Sequence, residues 1–505
     1  MDHIQTLMDG VFIGLQTSMT VENLVVCFLG CFLGMIVGVL PGIGALAAIS
    51  LLFPYTFYME PTSALIMLAG IYYGTAYGGS ITSILLNLPG GASSAVACLD
   101  GYPMARQGRA GVALFMTAIA SFVAASISII IMMVSSPVIA AFAVQFRSPE
   151  FFALMVLGLV AASTITDGNP VKGLAMVVFG ILMGAVGLDM YTGVPRMTFG
   201  SIHLFDGIGL AALAMGLFGV AEVISSIRSV RTGEVMNVSL GSMIPTADDL
   251  RQSWRPILRG TGVGAFFGAL PGAGPSVASF MAYALEKNVA KDPSRFGKGA
   301  IEGVCAPEAA NNAADQTGFI PTLTLGIPGS ATMGLLLGVL LIHGVTPGPT
   351  MMQSHPDMFW GLVMSFWTGN LILLVLSIPL IGVWVRLLSL PYNLLYPAIA
   401  MFICLGAYSV NGSVFDVWVV LAVGALGYLL RVLNFPVAPL LLGFVLGPLM
   451  EEHFRRAMII SRGEAMVFFS RPVSGTIMVL TVLLLLWVGW RKLKKGGTEE
   501  AEVVD

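Results

Sequence analysis

Apolar residues run in long blocks separated by short polar or glycine-rich breaks. The blocks fall near residues 22–40, 63–79, 110–145, 151–166, 170–188 and 204–227. Others follow near 256–285, 319–342, 358–390, 394–410, 414–433, 435–450 and 473–490. A helix needs about 20 apolar residues to cross a bilayer, so the pattern predicts about 10–12 crossings. Alternating barrel strands are absent from the pattern, and that leaves an all-α polytopic bundle as the expected fold. No polar stretch is long enough for a folded extramembrane domain.

Composition sharpens the picture. Of 505 residues, 56% are hydrophobic and only 10% charged, whereas a soluble domain carries about 25% charge. The net charge of -3 offers no basic surface, so nucleic acid is not an expected partner. Cys27, Cys31, Cys98, Cys305 and Cys404 are odd in number and sit in or beside apolar blocks, as small buried hydrophobes do. The first twenty residues contain Asp2 and Asp9 but no Lys or Arg, so no cleaved signal peptide is expected.

The blocks also repeat. Residues 34–44 (GMIVGVLPGIG) and 264–274 (GAFFGALPGAG) agree at six of eleven positions, 230 residues apart. Asn87-Leu88-Pro89-Gly90 falls on Gly326-Ile327-Pro328-Gly329, and GLFGVAE ending at Glu222 falls on VLGPLME ending at Glu451. Three matches in one order point to duplication. Basic residues, which prefer cytoplasmic loops, are distributed oppositely in the copies. Residues 55–62 have none, while the matching 286–302 carry Lys287, Lys291, Arg295 and Lys298. Residues 100–109 carry Arg106 and Arg109, while 344–357 have none. The N-terminal leader has none, while the central linker has Arg231, Arg251, Arg255 and Arg259. The expected layout is two inverted-topology repeats, 1–230 and 260–472, joined by a cytoplasmic linker at 231–259. A further transmembrane helix and tail, 473–505, carry Arg491, Lys492, Lys494 and Lys495, which place the C-terminus in the cytoplasm. Many secondary transporters use inverted repeats to build a binding site at the midplane.

Four Pro-Gly pairs interrupt apolar sequence: Pro41-Gly42, Pro89-Gly90, Pro271-Gly272 and Pro328-Gly329. Each break frees backbone groups that lipid cannot satisfy. One such break alone reads as a kink or an interfacial loop; four in symmetric pairs point to broken helices or re-entrant hairpins with a binding role. Pro41, Gly42, Gly44, Gly272 and Gly274 would then turn carbonyls toward a coupling cation. Hydroxyls and amides bind a carboxylate without the cost of a buried charge. The candidate substrate set is Ser80, Asn87, Gly90, Ser93, Ser94, Asn311, Asn312, Thr324, Gly329, Ser330 and Thr332. For any single hydroxyl, helix-to-helix hydrogen bonding is an equally good explanation.

The polar run at 307–315 (PEAANNAAD) is unusual in so poorly charged a chain. Asn312 and Asp315 join the cation candidates, and Glu308 shares that reading; the alternative for either acid is to cap a helix or lie in a polar loop. The matching place in the first copy holds Tyr72, Tyr73 and Tyr77, so one copy offers amide and carboxylate oxygens and the other aromatic walls. Gly30, Gly34 and Gly38, like Gly264 and Gly268, form a four-residue stripe for close packing. His203, His343 and His355 lack metal-ligand spacing, and no transition metal or cofactor is expected. Gly297-Lys298 is followed by Gly299, so there is no P-loop; H-E-x-x-H and G-x-S-x-G are absent as well.

These motifs closely resemble the large membrane subunit, TctA, of the tripartite tricarboxylate transporter family. The matching stretches are 38–54, 72–96 (YYGTAYGGSITSILLNLPGGASSAV), 100–111, 268–287, 296–349 and 442–457. The resemblance covers nearly the whole chain apart from the linker and tail. It carries over to Pro41 and Gly42, to Gly79 and Ser80, to 87–90, to Asn311 and Asn312, and to 328–330. Gly91 and Cys98 stand where many relatives have a hydroxylated residue. The resemblance implies gradient-driven uptake of organic carboxylates across the bacterial inner membrane, with sodium or proton as coupling ion. It further implies two partners, a small four-helix membrane subunit (TctB-like) and a periplasmic solute-binding protein (TctC-like), besides surrounding lipid. A non-translocating scaffold and an intramembrane enzyme are the alternatives.

Overall fold

The computed structural model describes residues 2–40, 43–165, 169–189, 191–227, 243–388 and 392–502. The helices begin with α1 (Asp2–Ser18), α2 (Val21–Val39), α3 (Ala45–Thr56), α4 (Pro61–Leu86), α5 (Ala97–Met104) and α6 (Ala110–Ala143). There follow α7 (Ser148–Ile165), α8 (Pro170–Gly184), α9 (Leu210–Ala214), α10 (Ala221–Ile227), α11 (Ala247–Gly268) and α12 (Gly274–Val289). Next come α13 (Glu302–Thr317), α14 (Phe319–Leu325), α15 (Ala331–Ile342), α16 (Met351–Ser354), α17 (Pro356–Ser377) and α18 (Ile381–Leu387). The last are α19 (Tyr392–Asn411), α20 (Val414–Val432), α21 (Val437–Ile460), α22 (Val467–Ser470) and α23 (Pro472–Glu502). Among the described residues the only strands are Gly187–Leu188 and Pro195–Arg196, paired antiparallel. Among the described residues five helices are long and apolar enough to cross a membrane, and seven shorter apolar helices accompany them. The chain is an all-α polytopic membrane protein.

It divides into two compact units, Met1–Ala141 with Gly209–Leu429, and Phe142–Ile208 with Leu430–Asp505. In the smaller unit α21 packs on α7 and α8 around Leu159, Ala162, Val177, Leu442 and Leu446. Gly443 lies against the carbonyl of Val177 and Gly180 against that of Leu440, so the two backbones touch where any side chain would separate them. Arg196 and Arg455 share Asp189 and Glu451 at 2.6–3.1 Å.

The larger unit uses one packing scheme twice. In α2, Gly30, Gly34 and Gly38 lie on the carbonyls of Met67, Ile71 and Thr75 of α4; in α11, Gly260, Gly264 and Gly268 lie on Ala306, Ala310 and Ala314 of α13. Both stripes have the four-residue period that keeps one helix face free of side chains. Glu60 starts α4 by accepting the N–H groups of Thr62 and Ser63 with Pro61 at the first helical position. Thr246 and Asp249 start α11 with a reciprocal capping box. The last part of the expected linker is thus the beginning of α11, while residues 231–242 lie outside the described residues.

The three basic segments of this unit meet. Arg109 pairs with Asp249 at 2.5 Å, Gln107 donates to the Lys298 carbonyl at 2.7 Å, and Arg295 donates to Gln252 at 3.1 Å. On the other side, Gly361 of α17 lies against Thr17 of α1 and Thr62 of α4.

Candidate functional site

Proline and glycine end the helices where the sequence places them. Pro89-Gly90 lies between α4 and residues 93–96, Pro271-Gly272 between α11 and α12, and Pro328-Gly329 between α14 and α15. Pro41 and Gly42 lie outside the described residues. The two longer loops are built alike. Asn87 (φ 58°) and Gly326 (φ 70°) both close a helix in the left-handed conformation, which Gly and Asn adopt at low cost. Gly90 then returns to the Cα of Gly79 and within 3.0 Å of the Gly38 carbonyl, while Gly329 approaches Gly318 and the Gly268 carbonyl at 3.2 Å, measured from the position a Cβ would take.

Beyond each loop the chain crosses to the helices of the other copy. Residues 93–96 and α5 pack on α12 and α13 in one case; α15 packs on α3 and α4 in the other. Each loop also lies beside a helix start of its own copy: Gly44, before α3, is opposite Gly90 and Gly91, and Gly274, at the start of α12, is opposite Gly329 and Ser330. Neither α3 nor α12 has a side-chain cap. Their first N–H groups and positive dipole ends suit an anion. Gly272, with φ +82°, donates its N–H to the Gly329 carbonyl at 3.0 Å.

The hydroxyl candidates divide by task. Ser330 caps α15 by accepting the Met333 N–H, and Ser94 closes a turn with the N–H and carbonyl of Gly91. Thr324 donates to the Ile320 carbonyl within its own helix. Ser93 is half-buried and Thr332 buried, whereas Asn87 is exposed.

Glu308, Asn311, Asn312 and Asp315 lie at i, i+3, i+4 and i+7 of α13, one stripe of a helix, and each is at most 3% exposed. Glu308 lies in the middle of α13 and Asp315 in its last turn, and neither α13 nor α14 has a side-chain cap, so the two acids are neither loop residues nor caps. Here α4 runs antiparallel to α13: Tyr72 donates to Asp315, Tyr73 to Gln316 at 2.9 Å, and Ser80 to Glu308 at 2.7 Å. The aromatic arm of the first copy thus supplies hydroxyl donors to the acidic and amide arm of the second. Ser121 of α6 also donates to Glu308, at 2.9 Å, and Asn312 bonds both Ser121 and Glu308. Both polar atoms of the Asn311 amide lack a hydrogen-bond partner, so on this stripe Asn311 is free for a ligand or water.

Sequence reasoning missed Ser121 and Asn370; Asn370 accepts from Tyr77 at 3.1 Å and donates to Ser126. Both are polar residues in apolar helices, which is the usual mark of a functional or inter-helix contact in a membrane.

Comparison with known proteins adds three findings. The sequence model of the tripartite tricarboxylate transporter TctA family matches residues 24–442. An uncharacterized 52.8 kDa protein in the TAR-I ttuC' 3'region of Agrobacterium vitis is 49% identical over 479 residues, 94% of each chain. An uncharacterized protein in the TAR-II ttuC' 3'region of the same organism is 52% identical over 223 residues, 44% of this chain and 92% of its own length. No solved structure matches.

Proposed function

Because the chain belongs to the tripartite tricarboxylate transporter TctA family, we propose that it is the substrate-translocating subunit of a binding-protein-dependent importer of organic di- or tricarboxylates. The carrying observation is the pair of loops at 87–91 and 326–330, each crossing to the other copy and facing an uncapped helix start. Carboxylate oxygens would take the free N–H groups there, aided by Asn87, Ser93 and the Asn311 amide. Uncapped N–H groups bind an anion without burying a fixed positive charge, which suits reversible capture and release.

On this reading the segments around Arg109, Asp249 and Lys298 form the cytoplasmic end, because they hold the basic loops. The two copies, inverted with respect to each other, would rock about the site and expose it alternately. A sodium or proton gradient supplies the energy, a periplasmic solute-binding protein delivers the acid, and a small four-helix subunit completes the complex in the inner membrane.

The test is uptake of labelled carboxylates into proteoliposomes holding this chain, its small partner and the cognate binding protein. Uptake that requires both the binding protein and an imposed gradient is the expected outcome. Failure of every carboxylate with correctly assembled protein would overturn the substrate class. A scaffold would show no dependence of flux on residues of the two loops, and an intramembrane enzyme would turn over substrate in detergent without a gradient.

A further inference from the structure

Between α4, α6, α13 and the start of α18 lies a cavity of about 10 Å³, lined by Tyr77, Ser80, Thr117, Ser121 and Glu308 among others. That is close to the least space that holds one water-sized particle. Its wall carries five hydroxyls, Ser377 among them, and one carboxylate and, among the described residues, no Lys, Arg or His.

Side-chain hydrogen bonds surround the Glu308 carboxyl. Asn312 donates to the Ser121 oxygen at 2.8 Å, so the Ser121 hydroxyl is turned to donate to Glu308 Oε1 at 2.9 Å. Asn312 also reaches Oε1 at 3.2 Å, and Ser80 donates to Oε2 at 2.7 Å. Three donors converge on the two oxygens, the arrangement that suits a carboxylate rather than a protonated acid. A buried carboxylate without a counter-charge is costly, and hydrogen bonds recover only part of that cost. No ion pair of Glu308 is found among the described residues, whereas buried Glu150, Asp249 and Glu286 each have an arginine.

We propose that Glu308, with the hydroxyls of Ser80, Ser121 and Tyr77, holds one sodium ion in this cavity. The carboxylate supplies the single negative charge that balances a monovalent ion, and hard oxygen donors suit an alkali cation better than a softer metal. The space, at the lower limit for a water, admits dehydrated sodium more readily than the larger potassium. The site takes its ligands from α4 and α6 in the first copy and α13 in the second, so filling it ties the copies together. This inference deepens the transport reading by naming the coupling ion and its ligands.

The experiment is thermal unfolding of the purified full chain in detergent, followed by tryptophan fluorescence, in sodium, potassium or choline chloride at fixed ionic strength and without substrate. Sodium should raise the midpoint saturably and potassium should not. Glu308→Gln should abolish the sodium response, and Ser80→Ala and Ser121→Ala should each raise the sodium needed by about tenfold. Asp357→Asn, at an exposed carboxylate in the first turn of α17, should keep it. A sodium response unchanged in Glu308→Gln, or absent in the native chain, overturns the proposal. If Glu308→Gln fails to fold, the two serine variants decide, and an unaltered sodium requirement in both overturns it. Because no carboxylate is present, sodium binding with failed uptake would sink the substrate class while leaving this site standing.

Discussion

Gly90 and its neighbour Gly91 look alike in the sequence yet have opposite tolerances. A Cβ on Gly90 would strike the Cα of Gly79, a backbone atom that cannot swing away, whereas one on Gly91 would meet nothing nearer than the Gly44 Cα at 4.0 Å. Gly90→Ala should therefore cost about 1–3 kcal/mol or more through overpacking, and Gly91→Ser should stay within about 0.5 kcal/mol of the native chain. Thermal unfolding of the two variants in detergent checks both; equal midpoints would refute the packing argument. Gly91→Ser is also informative because Ser330 is its counterpart in the second loop. Intolerance at Gly90 follows from packing alone, so it does not separate a transporter from a scaffold. Variants in the open part of the loop do.

Among the elements, Asp100 at the start of α5 shows how the loop of one copy is held by the other. Its Oδ1 accepts the N–H groups of Gly297, Gly299 and Ala300 at 2.8–2.9 Å, and its Oδ2 accepts the Tyr283 hydroxyl at 2.9 Å. Asp100→Ala would leave three backbone donors unpaired, at about 1–3 kcal/mol each where they stay buried. The expected result is a marked fall in the unfolding midpoint, with Tyr283→Phe much milder because it removes only one of four bonds. A fall in Tyr283→Phe as large as in Asp100→Ala would show that the backbone bonds contribute little. The glycine stripes of α2 and α11 were legible from their spacing, since small residues on one helix face have little other use. The carboxylate latch was not legible, because Asp100 and residues 297–300 are joined only by folding.

For the whole molecule, the separation of basic from non-basic segments leads to a topological prediction. Cysteines introduced at Met59 and Lys291, in a background without the native cysteines, should lie on opposite sides of the membrane. A membrane-impermeant thiol reagent added to intact cells should label Met59→Cys at once and Lys291→Cys only after permeabilisation. Labelling of both from one side would rule out inverted copies. The family and helical class were readable because apolar length and Pro-Gly breaks are local properties of a chain that must satisfy its own backbone in lipid. The pairing of tyrosines with acids was foreseen only as a chemical contrast between the copies, since nothing local says which residues of α4 meet which of α13.

Sequence by itself determined that the chain is a membrane bundle, where its helices break, and which small residues let them touch. Those features follow from periodicity and from the limits that proline and glycine impose on the backbone. Tertiary structure alone decided that Glu308 meets Ser80 and Ser121, that Asp315 is held by Tyr72, and that Asn311 is left without a partner. Those contacts join residues 187 to 243 positions apart. At such separations the register of two packed helices, rather than any local preference, chooses the partner.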